Sequence, residues 1–233
     1  MAAITSISTP TRSDFRNATR IQQAITAPLE RRVLAWFAAW TPGSISPDHL
    51  TALGFAAQIL ASAAYALSRW NKYFLIAATF FIALNWLGDS LDGTLARYRN
   101  RLRPRYGFYV DHMTDTFGGI FLMSGLALSG FLHWQIAIGM LVGFLVLSVE
   151  SYLTTYTIGK FRMSYALFGP TEIRILLMIG NVALIFRPYA HLAGHKFLLF
   201  DVGGAIAIVG MLTMAIVATG IHTAHLYQEE RLS

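Results

Sequence analysis

Four aspartates, Asp89, Asp92, Asp111 and Asp115, stand within the 27-residue stretch DSLDGTLARYRNRLRPRYGFYVDHMTD. They form two pairs, separated by a run that carries Arg97, Arg99, Arg101, Arg103 and Arg105. On a helix, residues three or four positions apart share a face, so Asp89 projects with Asp92, and Asp111 with Asp115. Four carboxylates brought together would repel one another or take up protons. Divalent cations held between the two helices remove that objection, and two ions about 4 Å apart, bridged by carboxylates, are a recurrent device in phosphate chemistry. The chain has no cysteine, which excludes a disulfide framework and thiolate ligation and leaves oxygen or imidazole donors, suited to hard cations.

The elements that position these groups must cross a membrane. The sequence is 55% hydrophobic and only 13% charged, well short of the roughly 25% charged residues of a soluble domain. Four aspartates facing lipid would cost on the order of 10 kcal/mol, so both pairs must face a shared polar cavity. No apolar stretch followed by a small-residue cleavage site opens the chain, which predicts no cleaved signal peptide. The net charge of +6 comes from bases that flank apolar segments, the pattern of membrane topology rather than of nucleic-acid binding.

Taken in order, residues 1 to 12 are small and polar. From Ser13 to Trp40, Phe15, Ile21, Ile25, Leu29, Val33, Leu34 and Phe37 recur at helical spacing between arginines. This predicts a basic amphipathic helix, interrupted near Pro28 and lying on an anionic membrane face. Residues 1–45 are therefore read as a tail and interfacial helix, and 46–233 as the membrane domain. Ser46 is placed to cap a helix that starts at Pro47. Six spans are expected: Pro47 to Ser68, Tyr73 into the aspartate stretch near Asp89, Gly107 to Phe131, Trp134 to Ile158, Glu172 to Phe186, and Phe197 to His222. With a cytoplasmic N-terminus, fourteen Lys and Arg residues fall inside, against Arg69, Lys72, Arg187 and Lys196 outside. That asymmetry sets the orientation and turns the aspartates to the cytoplasm. The expected fold is all-α and multi-pass.

Small residues accompany the carboxylates. Gly93 and Ala96 follow the first pair, and Gly107 precedes Asp111 by one turn. They leave room for a ligand or allow close helix packing, and spacing alone does not choose. Arg97 can neutralise a helix C-terminus or hold a phosphate. These residues carry a resemblance. Asp89, Asp92, Gly93, Ala96 and Arg97, a nine-residue gap, then Gly107, Asp111 and Asp115 match at all eight defined positions the signature D-x2-D-G-x2-A-R, G-x3-D-x3-D of the CDP-alcohol phosphotransferases. The amphipathic N-terminal helix and six spans are similar to that family's plan. Asp48 stands where the family usually has asparagine, and no role is carried over to residues 47–51.

The resemblance implies transfer of a substituted phosphate from a CDP-alcohol to the hydroxyl of a second alcohol, with release of CMP, in phospholipid synthesis. It implies two divalent cations, Mg2+ or Mn2+, with Asp89, Asp92 and Asp111 as ligands and Asp115 as both ligand and general base. It places Gly93, Ala96, Arg97 and Gly107 around the nucleotide, and it implies a homodimer among membrane lipids. The acceptor alcohol and the particular donor are left open. So are the roles of Glu150, Lys160, Arg162, Glu172, Arg174 and His112: Glu150 lies within a span, the next four surround the turn before span five, and His112 is expected to pack or to support a ligand rather than bind metal. A membrane prenyltransferase would repeat its aspartate motif far beyond Asp115, where none occurs. A divalent-cation transporter or a non-catalytic membrane protein would not account for Gly93, Ala96 and Arg97.

Overall fold

Prolines open four of the seven helices in the computed structural model, which describes residues 19–21, 26–162, 169–192 and 194–231. In a first helical turn proline has no N–H to leave unpaired, and its φ is already helical. The helices are α1 (Ala27–Trp40), α2 (Pro47–Leu67), α3 (Phe74–Tyr98), α4 (Pro104–Leu128), α5 (Trp134–Thr157), α6 (Pro170–Phe186) and α7 (Leu199–Glu229). Ser46 caps α2 as its position predicts. Its Oγ accepts from His49 N and its own N–H donates to His49 Nδ1, both at 3.2 Å.

Two short strand pairs accompany the helices. β1 (Thr19–Ile21) runs parallel to β2 (Lys160–Arg162). β3 (Tyr189–Leu192) and β4 (His195–Leu198) form a hairpin, closed where Gly194 takes φ +81°, a conformation that suits glycine.

Several expected boundaries move. The helix expected from Ser13 begins at Ala27, because Pro28 can stand only in a first turn and Thr19–Ile21 pairs as a strand; residues 13–18 and 22–25 lie outside the described residues. The second span continues to Tyr98, since nothing in GTLARY breaks a helix before Asn100 takes φ +53°. Asp89 and Asp92 therefore lie within the helix, not at its end. α4 starts at Pro104 rather than Gly107, so Arg97 and Arg105 are helical and the connecting loop shrinks to 99–103. The stretch expected to begin span six is the β4 strand, and α7 starts at Leu199.

Among the described residues, α2, α3, α5 and α7 are long and apolar enough to cross a membrane. α4 carries Arg105, Asp111 and Asp115, and α6 has 17 residues, about 26 Å of helix.

α2 is the element on which the site depends. A Cβ at Gly88 would lie 2.6 Å from Gly54 N, a Cβ at Gly118 would lie 2.5 Å from Gln58 Oε1, and one at Gly125 would strike Ser62. Glycine lets α3 and α4 each lie close against α2. α3 and α4 pack far less on each other, which leaves room for the aspartates to meet. Polar cross-links hold the bundle: Tyr65 Oη donates to Asn181 Oδ1 at 2.8 Å, Asn181 Nδ2 to Thr79 Oγ1 at 3.1 Å, and Asn85 Nδ2 to Gln58 Oε1 and Gly54 O, both at 3.0 Å. Gln58, Asn85 and Asn181 thus make interhelical bonds.

α1 packs Leu34 and Ala38 against Leu50, Leu91 and Leu95, and exposes Leu29, Trp36 and Trp40 with Arg31 and Arg32. Its connection to α2 is held by Arg99, whose guanidinium donates to the carbonyls of Thr41, Pro42 and Ile45. Arg103 pairs with Asp48.

Candidate active site

One carboxylate oxygen each from Asp89, Asp111 and Asp115 lies within 4.8 Å of the others. Asp89 comes from α3, while Asp111 and Asp115 lie one turn apart on α4, so the trio spans the space between two helices that share α2 as a backing. Thr51, Gly54, Gln58, Asn85 and Thr114 line a cleft with Asp89 and Asp115. Of the Asp89 and Asp111 carboxylates, Asp111 is the more open, 41% exposed against 22% for Asp89.

Asp92 stands beside this trio rather than in it. Its Oδ2 accepts from Thr51 Oγ1 at 2.5 Å, and its Oδ1 accepts from Gly93 N. Thr51 also bonds the Pro47 carbonyl at 3.2 Å, so the start of α2 orients this carboxylate.

Asp89 has a partner from a third direction. Arg174 of α6 places Nη2 2.7 Å from Asp89 Oδ2, and its side chain is only 13% exposed. A guanidinium there offsets part of the negative charge the aspartates bring to a poorly solvated site.

The glycines separate into two groups. Gly54, Gly88, Gly118 and Gly125 are filled by neighbouring helices, whereas a Cβ at Gly93 would meet only Arg97 Nη1 at 3.7 Å, and one at Gly107 would meet nothing within 4 Å. The surface over the motif is thus open beside both carboxylate pairs. Arg97 is exposed on the same side, with Nη2 donating to Thr94 Oγ1 at 3.2 Å, and Ala96 is half-buried beside it.

The remaining polar residues sort by contact. His112 stacks between Phe108 and Tyr152, ring centroids 4.0 and 4.8 Å away, and its Nδ1 lies 3.4 Å from Asp111 Oδ2. It packs as expected, while reaching closer to Asp111 than its i+1 position suggests. Glu150 Oε1 lies 2.5 Å from His222 Nδ1 on α7 and accepts from Thr154 Oγ1 at 2.9 Å, an interhelical pair. Glu172 is 7% exposed and accepts from Thr26 N, Thr26 Oγ1 and Gly169 N. The side chains of Lys160 and Arg162 lie outside the described residues.

Three polar contacts escape the sequence reading. Arg174 reads as one of the loop bases, although it stands between Ile173 and the apolar stretch that starts at Ile175, in the second turn of α6. Thr51 falls with Gly54 and Gln58 on one face of α2, a polar and small stripe in an otherwise apolar helix. Glu30 falls with Leu34 and Ala38 on the buried face of α1.

The donor set suits a hard divalent cation. Among the described residues it consists of carboxylate oxygens that converge from two helices, beside the guanidinium of Arg174, and oxygen donors of this kind suit hard cations.

Comparison with known proteins then adds two findings. The family model of the CDP-alcohol phosphatidyltransferases matches residues 44–221, from just before α2 into α7. Archaetidylinositol phosphate synthase of Pyrococcus horikoshii is 28% identical over 169 residues, which cover 72% of this chain and 79% of that protein.

Proposed function

Because the chain belongs to the CDP-alcohol phosphatidyltransferase family, we propose that it moves the substituted phosphate of a CDP-alcohol onto the hydroxyl of a second alcohol and releases CMP. The observation that carries this reading is the convergence of Asp89, Asp111 and Asp115 within 4.8 Å inside a helical membrane protein. Asp89, Asp92, Asp111 and Asp115 would hold two divalent cations, Mg2+ or Mn2+. When bound, those ions neutralise phosphate charge and stabilise the departing CMP.

Asp115 takes the proton of the acceptor hydroxyl. An alcohol is far too weak an acid to ionise alone near neutral pH, so a carboxylate must accept its proton as oxygen attacks phosphorus. The new P–O bond forms as the bond between that phosphorus and the bridging oxygen breaks, and CMP carries off the bridging oxygen. Gly93, Ala96 and Gly107 leave space for the nucleotide, and exposed Arg97 offers its guanidinium to a phosphate. Arg174 holds the Asp89 carboxylate in place.

The bundle spans the membrane six times, with α4 and α6 as the two spans of lower apolar length. α1 lies in the interface with Leu29, Trp36 and Trp40 toward lipid, and the carboxylates face the cytoplasm as the arginine distribution requires. The protein works as a homodimer. The relative's name points to a phosphorylated inositol acceptor, which therefore heads the panel of alcohols to be tried.

The test is release of CMP by purified protein in lipid or detergent with Mg2+ or Mn2+, from CDP-diacylglycerol, a CDP-archaeol type donor and CDP-choline, against that panel. Activity that needs the metal and disappears in Asp115→Asn supports the reading. No CMP with any donor and acceptor refutes it.

A further inference from the structure

Glu30 is the acidic residue of a basic helix, and its carboxylate points inward. It is 9% exposed, and donors from two other helices converge on one of its oxygens. Oε1 accepts from Trp86 Nε1 at 2.9 Å and Ser90 Oγ at 3.2 Å, both on α3, and from Thr171 Oγ1 on α6 at 2.8 Å. A reciprocal link runs back from α6: Glu172 Oε1 accepts from Thr26 N at 2.9 Å and Thr26 Oγ1 at 2.7 Å, just before α1. A buried carboxylate is tolerated when bonded in this way.

The places these bonds reach give them significance. Ser90 directly follows Asp89. Thr171 precedes Arg174 by three residues on α6, and Arg174 reaches across to Asp89 at 2.7 Å. Both ends of the Asp89–Arg174 pair are thus tied, through neighbouring residues, to a single oxygen on α1.

We propose that Glu30 is a positioning residue of the active site: by holding Ser90 and Thr171 at one point, it sets the spacing of α3 and α6 at which Asp89 is oriented for ion binding. A helix outside the four long apolar spans thereby governs the ion affinity of the motif. The inference rests on the metal-ion reading above.

The test is a Mn2+ titration of the full-length protein in detergent, with free Mn2+ followed by electron paramagnetic resonance and melting temperature measured in chelator. Partners that orient ligands from behind usually change metal affinity 10- to 100-fold when removed. Glu30→Ala is therefore expected to weaken Mn2+ binding about tenfold. Glu30→Gln keeps an acceptor oxygen for the three donors and is expected to restore most of that affinity. A role confined to anchoring α1 would lower the melting temperature and leave the affinity of the folded protein unchanged, and that result overturns the proposal. If Glu30→Ala does not fold, the double variant Ser90→Ala/Thr171→Val removes two of the donors and keeps the apolar packing. Weaker Mn2+ binding there supports the proposal, and unchanged binding overturns it. Wild-type protein that binds no Mn2+ refutes the metal-ion reading itself, a result separate from a failure confined to the variants.

Discussion

The Thr51 hydroxyl of α2 donates to Asp92 Oδ2 at 2.5 Å, which joins the start of one helix to the second aspartate of the motif on another. With Gly93 N on the other oxygen, Asp92 is held at both ends. A carboxylate so oriented meets a ligand without first being ordered. Thr51→Val keeps the shape and removes the donor, and is expected to lower CMP release by ten- to a hundredfold. Thr51→Ser, which keeps the hydroxyl, should retain most of the activity. Equal rates for Thr51→Val and wild type would show that the bond does not matter to the reaction.

The two groups of glycines predict opposite outcomes from the same substitution. At Gly88 a methyl group would lie 2.6 Å from a backbone nitrogen of α2, which cannot swing aside as a side chain would. Gly88→Ala is expected to cost about 1–3 kcal/mol, seen as a lower melting temperature. At Gly93 the same methyl has room and improves helix propensity, so Gly93→Ala should fold at least as well as wild type. If the nucleotide lies over Gly93, that methyl group raises the KM for the CDP-alcohol about tenfold or more. Wild-type KM in Gly93→Ala would move the nucleotide elsewhere.

Arg174→Gln removes the guanidinium that pairs with Asp89. Breaking a buried pair from one side costs about 3–5 kcal/mol when the remaining charge is uncompensated. The loss of melting temperature should therefore be large in chelator and smaller in saturating Mg2+, because a bound cation restores charge balance at Asp89. An identical loss in both conditions would place Arg174 outside the ion site's electrostatics.

Glu150 and His222 join α5 to α7, whereas Tyr152, on the same helix, is the residue that turns toward His112. Glu150→Ala and His222→Ala are each expected to lower stability by about 1 kcal/mol. A double-mutant cycle should show coupling of similar size, with kcat/KM of the folded protein unchanged. A selective loss of acceptor affinity would instead give the pair a part in recognition.

Much of the site is visible along the chain because its logic is local. Three- and four-residue spacing places carboxylates on common helical faces whatever surrounds them, and Pro47 after Ser46 begins a helix on local grounds alone. Two of the boundaries that moved, the end of α3 and the start of α4, share one cause. Charged residues suggest the end of a span, yet Asp89, Asp92 and Arg97 continue α3, because helix formation depends on backbone bonds that an inward-facing aspartate does not disturb.

By itself the sequence determined that two aspartate pairs with oxygen donors stand on consecutive helices of a membrane chain, since type and spacing are properties of the chain in one dimension. Only the tertiary structure decided which other residues join them. Thr51 reaches Asp92 across 41 positions, Arg174 reaches Asp89 across 85, and Thr171 reaches Glu30 across 141. No local pattern encodes such partners, because a hydrogen bond of about 3 Å between distant residues exists only once packing has brought their helices together. The same holds for the glycines. Gly54 and Gly88 look like Gly93 and Gly107 in sequence, and what separates them is whether a neighbouring helix fills the space where a Cβ would be.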